Sequence, residues 1–195
     1  MLQADLRNDI KISKKLSYLL RHGAVYENLK IDADGYILLS ELLHHLPNCS
    51  LADIQRIVDN DSKRRYTLKD NTWIKANQGH SIVHVNQLNL TPVVNPNFSI
   101  IHGTYFRNWI SIKRQGLSRM NRNHIHFSKD LNFGRGLRQN AEVLIYINFS
   151  KATGAGILFF EAENGVILSA ADETGFINKE YFHKVVTRKN EVLDY

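Results

Sequence analysis

The rhythm of apolar and polar positions changes about two-fifths of the way along this chain. In the first part Leu16, Leu19 and Leu20 recur at helical spacing. They predict a helix capped by Ser13 and stopped by Gly23. Asp34-Gly35 is a turn signal, followed by a short apolar stretch over residues 36–39. Ser40 is placed to cap a second helix through Leu46, which Pro47 ends. Ser50 is placed to cap a third, with Asp53 at the capping-box position and Ile54, Ile57 and Val58 on one face. From Arg65 to Lys75 the pattern alternates around Lys69-Asp70-Asn71, as a hairpin does. Three short helices and a hairpin describe a winged helix, a module common among nucleic-acid binders. That comparison concerns architecture and does not by itself assign a function.

Residues 76–96 are rich in Asn, Gln and Gly, poor in charge, and carry two of the three prolines. They read as a linker with a short strand over 81–85. The expected organisation is a first lobe at 1–78, a linker at 79–96 and a second lobe at 97–195. After the linker, residues 99–102, 141–149, 157–161 and 166–169 are strand candidates, with Asn164-Gly165 as a hairpin turn. Residues 108–115 read as a helix ended by Gly116. The whole is expected to be α+β, with a compact, mostly antiparallel second half. No Gly-x-Gly-x-x-Gly follows a strand, so a dinucleotide bound here is not expected to be held in the Rossmann manner.

Composition narrows the function classes. The 195 residues are 43% hydrophobic, enough for a real core, and carry a formal net charge of +6. The charge favours a polyanionic partner. The one cysteine, Cys49, excludes an internal disulfide and fits a reducing compartment. It reads as a small apolar filler. No apolar run approaches the roughly 20 residues needed to span a bilayer. The N-terminal residues are polar and mixed in charge, with no signal-peptide pattern. A soluble, cytoplasmic monomer without a membrane partner is expected.

Basic residues supply the candidate chemistry. Arg21 and His22 close the first predicted helix, where cations complement the helix dipole or reach an anion. Lys63, Arg64 and Arg65 precede a strand. Alternation sends Arg64 and Arg65 to opposite faces, so at most one shares a pocket with Arg21, and periodicity does not choose between them. His102-Gly103-Thr104 follows a strand, and reads either as a turn or as a close backbone approach with a hydroxyl beside it. Arg119, Arg122, His124 and His126 lie within eight residues. Two imidazoles without a nearby Cys or carboxylate make a poor zinc site, and no metal is expected. Arg122 is the better candidate, because guanidinium pairs with phosphate in bidentate fashion. Ser128 is in range of a ribose or phosphate. Arg135 and Arg138, around Gly134 and Gly136, read as a mobile basic loop suited to RNA backbone or pyrophosphate.

Several short pieces stand in a characteristic order. They are Arg21-His22-Gly23, Asp34-Gly35-Tyr36, Glu41-Leu42-Leu43, Lys63-Arg64-Arg65-Tyr66, His102-Gly103-Thr104, Gly116-Leu117 and Arg122-Asn123-His124-Ile125-His126. Asn164-Gly165-Val166, Gly175-Phe176-Ile177 and Tyr181-Phe182 complete them. In this order they resemble the RNA 2′-phosphotransferase family, over nearly the whole chain. The resemblance implies a winged-helix N-terminal lobe and a C-terminal lobe like the ADP-ribosyltransferases. It implies NAD⁺ as co-substrate and an RNA carrying a 2′-phosphate, such as a tRNA at its splice junction. The expected products are 2′-hydroxyl RNA, nicotinamide and ADP-ribose 1″,2″-cyclic phosphate.

The family's catalytic Arg-His-Arg-Arg set carries over to Arg21, His22, Arg65 and Arg122. Its pattern of Lys, any residue, Arg and an aromatic selects Arg65. Its NAD-binding residues carry over to His102, Gly103 and Thr104, and to Ser111, His126 and Ser128. Ala162 stands where the family usually has Ser, and the 134–138 loop aligns loosely. Two other functions compete. One is an enzyme that ADP-ribosylates nucleic-acid terminal phosphates and stops after the first transfer. The other is a non-catalytic winged-helix protein that binds nucleic acid.

Overall fold

The computed structural model describes residues 3–195, so Met1 and Leu2 of the polar N-terminal stretch lie outside the described residues. The chain forms two compact units divided after Asn89. Together they are a mixed α+β structure in which every strand pairing among the described residues is antiparallel.

The first unit opens with helix α1 (Gln3–Tyr18), which runs into a π-helical turn (Leu19–Gly23). Strand β1 (Tyr36–Leu38), helices α2 (Leu39–His44) and α3 (Leu51–Asp59), and strands β2 (Tyr66–Lys69) and β3 (Trp73–Ala76) follow. The three strands form a sheet in the order β1-β3-β2. Ile12, Leu16, Leu19 and Leu20 pack with Ile37, Leu42, Ile54 and Ile74 into one core.

Some expected signals act as predicted. Ser50 caps α3 in a complete capping box with Asp53. That carboxylate is held down to about 2, chiefly by its hydrogen bonds from Ser50 and then by Arg56. Asp70 and Asn71 both take positive φ in the hairpin turn.

Others differ. Ser13 lies inside α1, where its hydroxyl reaches Tyr66 Oη at 3.0 Å, so it is not the cap. The helical run does end at Gly23, though not through a left-handed cap, because Ala24 keeps right-handed dihedrals. The missing Cβ of Gly23 makes room for the ring of Tyr18. Leu38, two residues before Ser40, is the residue that precedes α2, so Ser40 lies inside the helix and is not its cap. The 81–85 stretch forms no strand. Ile82 and Val85 instead insert into the first unit's core, and His80 is buried. The stretch read as a linker is therefore divided, its first part packed within this unit.

The second unit contains β4 (Leu90–Pro92), β5 (Ile100–Thr104), helix α4 (Phe106–Gln115), β6 (Leu117–Ser118), β7 (Ile125–Lys129) and β8 (Val143–Ile147). Helix α5 (Phe149–Gly154), β9 (Phe160–Ala162), β10 (Ile167–Ser169), β11 (Phe176–Ile177) and β12 (Phe182–Thr187) complete it. Seven strands form one sheet in the order β12-β8-β5-β7-β10-β9-β4, while β11 and β6 pair separately. Phe127, Ile145 and Ile167, from three of the inner strands, are fully buried. Gly165, at φ +80, closes the expected β9–β10 hairpin. Pro92 and its neighbours, expected as linker, form an edge strand on β9. This is the position a proline tolerates in a sheet.

Candidate active site

In the first unit the π turn carries Arg21 and His22. A π turn inserts a residue into the helical register, and such insertions recur at functional sites. Leu19 and Leu20, both fully buried, anchor it from the core side. Ser81 holds it from the other: its N–H donates to the Arg21 carbonyl at 2.9 Å, and its hydroxyl lies 2.9 Å from His22 Nδ1. Gly79 gives the Arg21 side chain its seat, since a Cβ there would come within 3.3 Å of it. The residues expected to be a passive linker thus fix this Arg-His pair.

Arg64 and Arg65 both precede β2, so strand alternation does not separate them as expected. Local geometry does. Arg64 is exposed and left-handed, at φ +46. Arg65 is half-buried and donates through Nη1 to Asp61 Oδ1 at 2.5 Å. It lines a cleft of about 570 Å³ with Ser13, Ser17, Asn60 and Asp61, and neither Arg21 nor His22 lines that cleft.

The second unit holds a cavity of about 640 Å³ at the end of β5, beside α4. His102, Gly103, Thr104, Ser111, Arg122 and His126 all line it, although they come from three separate stretches of sequence. Ser128 does not. Its side chain is fully buried and its hydroxyl donates to the Asp130 carbonyl at 3.0 Å, so it is not presented to a ligand there.

Gly103 has a different reason from the one expected. A Cβ there would overlap Leu137 and lie 2.9 Å from the Ala141 Cβ. The glycine lets the 134–141 loop dock on β5. That loop is also anchored by Arg135, which donates to the Asn164 carbonyl at 3.1 Å. Gly136 is left-handed, and a Cβ on it would overlap the Phe127 carbonyl.

The cavity is strongly cationic. Arg107, Arg119, Arg122 and Arg138 line it, with no Asp or Glu among the described lining residues. None of the four is ion-paired to a carboxylate among the described residues. Partial burial and the charge of Arg138 push the Arg122 guanidinium pKa down, so the site disfavours its own cation until an anion arrives. Arg107 and Arg138 both stack on the Tyr105 ring, at 5.0 and 5.5 Å. Hydrogen bonding from Arg138 lowers the Tyr105 phenol.

Burial pushes the His102 imidazole down, opposed by its bond to the His126 carbonyl and assisted by Arg138 and Arg122. Its Nδ1 lies 2.9 Å from that carbonyl, which can only accept. The proton therefore sits on Nδ1, and Nε2 is left as an acceptor in a cavity whose four arginines can only donate.

Sequence reasoning passed over Tyr105 and Arg107. A usable signal existed for Arg107, which stands four residues before Ser111 and so shares its helix face. Among the described residues no cluster of three or more His, Cys, Asp or Glu could hold a metal ion.

Comparison with known proteins places these features in a family. Residues 7–171 match the model of the RNA 2′-phosphotransferase, Tpt1 / KptA family. The tRNA 2′-phosphotransferase 1 of Danio rerio is 40% identical over 191 residues, covering 90% of this chain and 84% of that protein. The tRNA 2′-phosphotransferase of Saccharomyces cerevisiae is 37% identical over 209 residues, covering 97% and 88%. A probable RNA 2′-phosphotransferase of Rhizobium leguminosarum is 39% identical over 186 residues, covering 92% and 98%.

Proposed function

Because the chain belongs to the RNA 2′-phosphotransferase family, we propose that it removes an internal 2′-phosphate from RNA, such as a tRNA splice junction, by transfer to NAD⁺. The products in this reading are 2′-hydroxyl RNA, nicotinamide and ADP-ribose 1″,2″-cyclic phosphate. The first unit acts as a winged-helix RNA-binding lobe and the second as an ADP-ribosyltransferase-like lobe. One observation carries the NAD⁺ assignment: four arginines without carboxylate partners share a cavity with a neutral His102. Such a lining suits a pyrophosphate flanked by ribose hydroxyls. The arginines meet the phosphates, and His102 Nε2 accepts from a hydroxyl.

NAD⁺ supplies an electrophilic ribose carbon and a leaving group that departs neutral. The attacking RNA phosphate is already an anion, so the protein needs neither a general base nor a general acid in the first transfer. Its task is positioning, which falls to Arg21, Arg65 and Arg122. In the second transfer the ribose O2″ attacks phosphorus and the RNA O2′ leaves. Negative charge grows on the phosphoryl oxygens, and the same arginines stabilise it. O2″ loses a proton and O2′ gains one. His22, its ring oriented by Ser81, takes that role.

Nicotinamide release tests this reading. It should require both NAD⁺ and 2′-phosphorylated RNA, and fall about 30-fold or more in Arg122→Ala. Release that ignores the 2′-phosphate, or no release at all, contradicts it.

A further inference from the structure

We propose that Asp61 is a positioning residue, which sets where the Arg65 guanidinium meets the transferred phosphate. This deepens the reading above and rests on it, because it takes Arg65 to bind that phosphate.

Asp61 uses all of its acceptors on the segment that carries Arg65. Its Oδ2 accepts the Arg65 backbone N–H at 2.5 Å. Its Oδ1 accepts Arg65 Nη1 at 2.5 Å and the Lys63 N–H at 3.3 Å. Its carbonyl accepts the Arg64 N–H at 2.7 Å. One residue therefore fastens both the 61–65 turn and the side chain that leaves it. The turn in turn follows α3, whose Ile54 and Ile57 are buried in the core.

This pair differs from an ordinary surface i,i+4 ion pair, which contributes little. The Asp61 side chain is 6% exposed and that of Arg65 is 33% exposed. The carboxylate is thus sheltered, while the guanidinium keeps a face to solvent. A long arginine loses much rotamer freedom when a ligand fixes it. Fixing it beforehand removes that cost from the bound state. Of its five donors, the pairing with Asp61 takes only one through Nη1, leaving the others for phosphate oxygens.

The test uses the full chain, NAD⁺ and an RNA bearing one internal 2′-phosphate, with each transfer followed separately. Asp61→Asn should reproduce the signature of Arg65→Ala. The second transfer slows about tenfold or more, and ADP-ribosylated RNA accumulates. Asp61→Asn combined with Arg65→Ala should be no slower than Arg65→Ala alone, because the carboxylate acts through that guanidinium. Asp61→Glu keeps the charge on a longer arm, so it should accumulate the same species to a smaller extent. That variant carries the test if Asp61→Asn does not fold.

If Arg65→Ala accumulates the intermediate while both Asp61 variants turn over normally, the Asp61 assignment alone is overturned. A further slowing by Asp61→Asn within Arg65→Ala overturns it equally. If Arg65→Ala itself turns over normally, the reading of Arg65 fails and takes Asp61 with it.

Discussion

Arg64 and Arg65 are chemically alike neighbours, and their surroundings give them different work. Arg65 is half-buried against Asp61, whereas Arg64 holds a left-handed backbone and an exposed side chain. Arg65→Ala is therefore expected to lower turnover by about 30-fold or more, with ADP-ribosylated RNA building up. Arg64→Ala should stay within about twofold of wild type, as exposed substitutions usually do. Steady-state turnover of the two variants checks this, and equal losses would contradict it.

His102 makes a separate prediction. Its folded pKa lies below its ordinary value of 6.5, chiefly through burial. Above about 6.5 both folded and unfolded forms are neutral, so the shift has no effect on stability. Below that value the unfolded chain takes up the proton first. Stability then falls until pH reaches the depressed folded value. Denaturation midpoints should drop as pH falls from about 6.5, and less so in His102→Gln. An unchanged slope in that variant would remove His102 as a cause. What the sequence showed at this scale was residue type. The choice of Arg65 came from its motif, and its pairing with Asp61 depended on a turn that periodicity does not describe.

At the scale of elements, the docking of the 134–141 loop on β5 depends on Gly103. Gly103→Ala would overlap Leu137 and crowd Ala141. It should destabilise the protein by about 1–3 kcal/mol, the usual cost of overpacking, and weaken NAD⁺ binding. Gly154→Ala serves as the comparison, having open space at the end of α5. It should be neutral or stabilise by up to about 1 kcal/mol. Chemical denaturation of both variants, with an NAD⁺ titration of the first, decides the matter.

Elements governed by local chemistry were legible. The Ser50–Asp53 box, the Asp70-Asn71 turn and the Gly165 hairpin each act through residues close in sequence. Elements governed by distant partners were not. Ser13 looks like a cap, but its hydroxyl is directed to Tyr66, 53 residues away. The 76–96 stretch looks like a linker by composition, yet Ile82 and Val85 fill the first unit's core and Ser81 holds the π turn. A few well-placed contacts outweighed the average polarity of the segment.

For the whole molecule, each unit carries its own basic chemistry: Arg21, His22 and Arg65 in the first, and the arginine-lined cavity with Arg122 in the second. Family membership is established over residues 7–171. The formal net charge of +6 suits an RNA substrate. His102, Gly103, Thr104, Arg122 and His126 could be named from motifs because those pieces are short and chemically distinctive, whereas Tyr105 and Arg107 could not. Ser128 could not be sorted from its neighbours that way, since only the fold shows that its hydroxyl is turned to Asp130.

The most direct measurement incubates the purified protein with an RNA bearing one internal 2′-phosphate, with and without NAD⁺, and resolves both RNA and nucleotide products. The account predicts NAD⁺-dependent loss of the phosphate together with release of ADP-ribose 1″,2″-cyclic phosphate. RNA that stays phosphorylated while NAD⁺ remains intact, or an RNA that only gains ADP-ribose at a terminal phosphate, would contradict it.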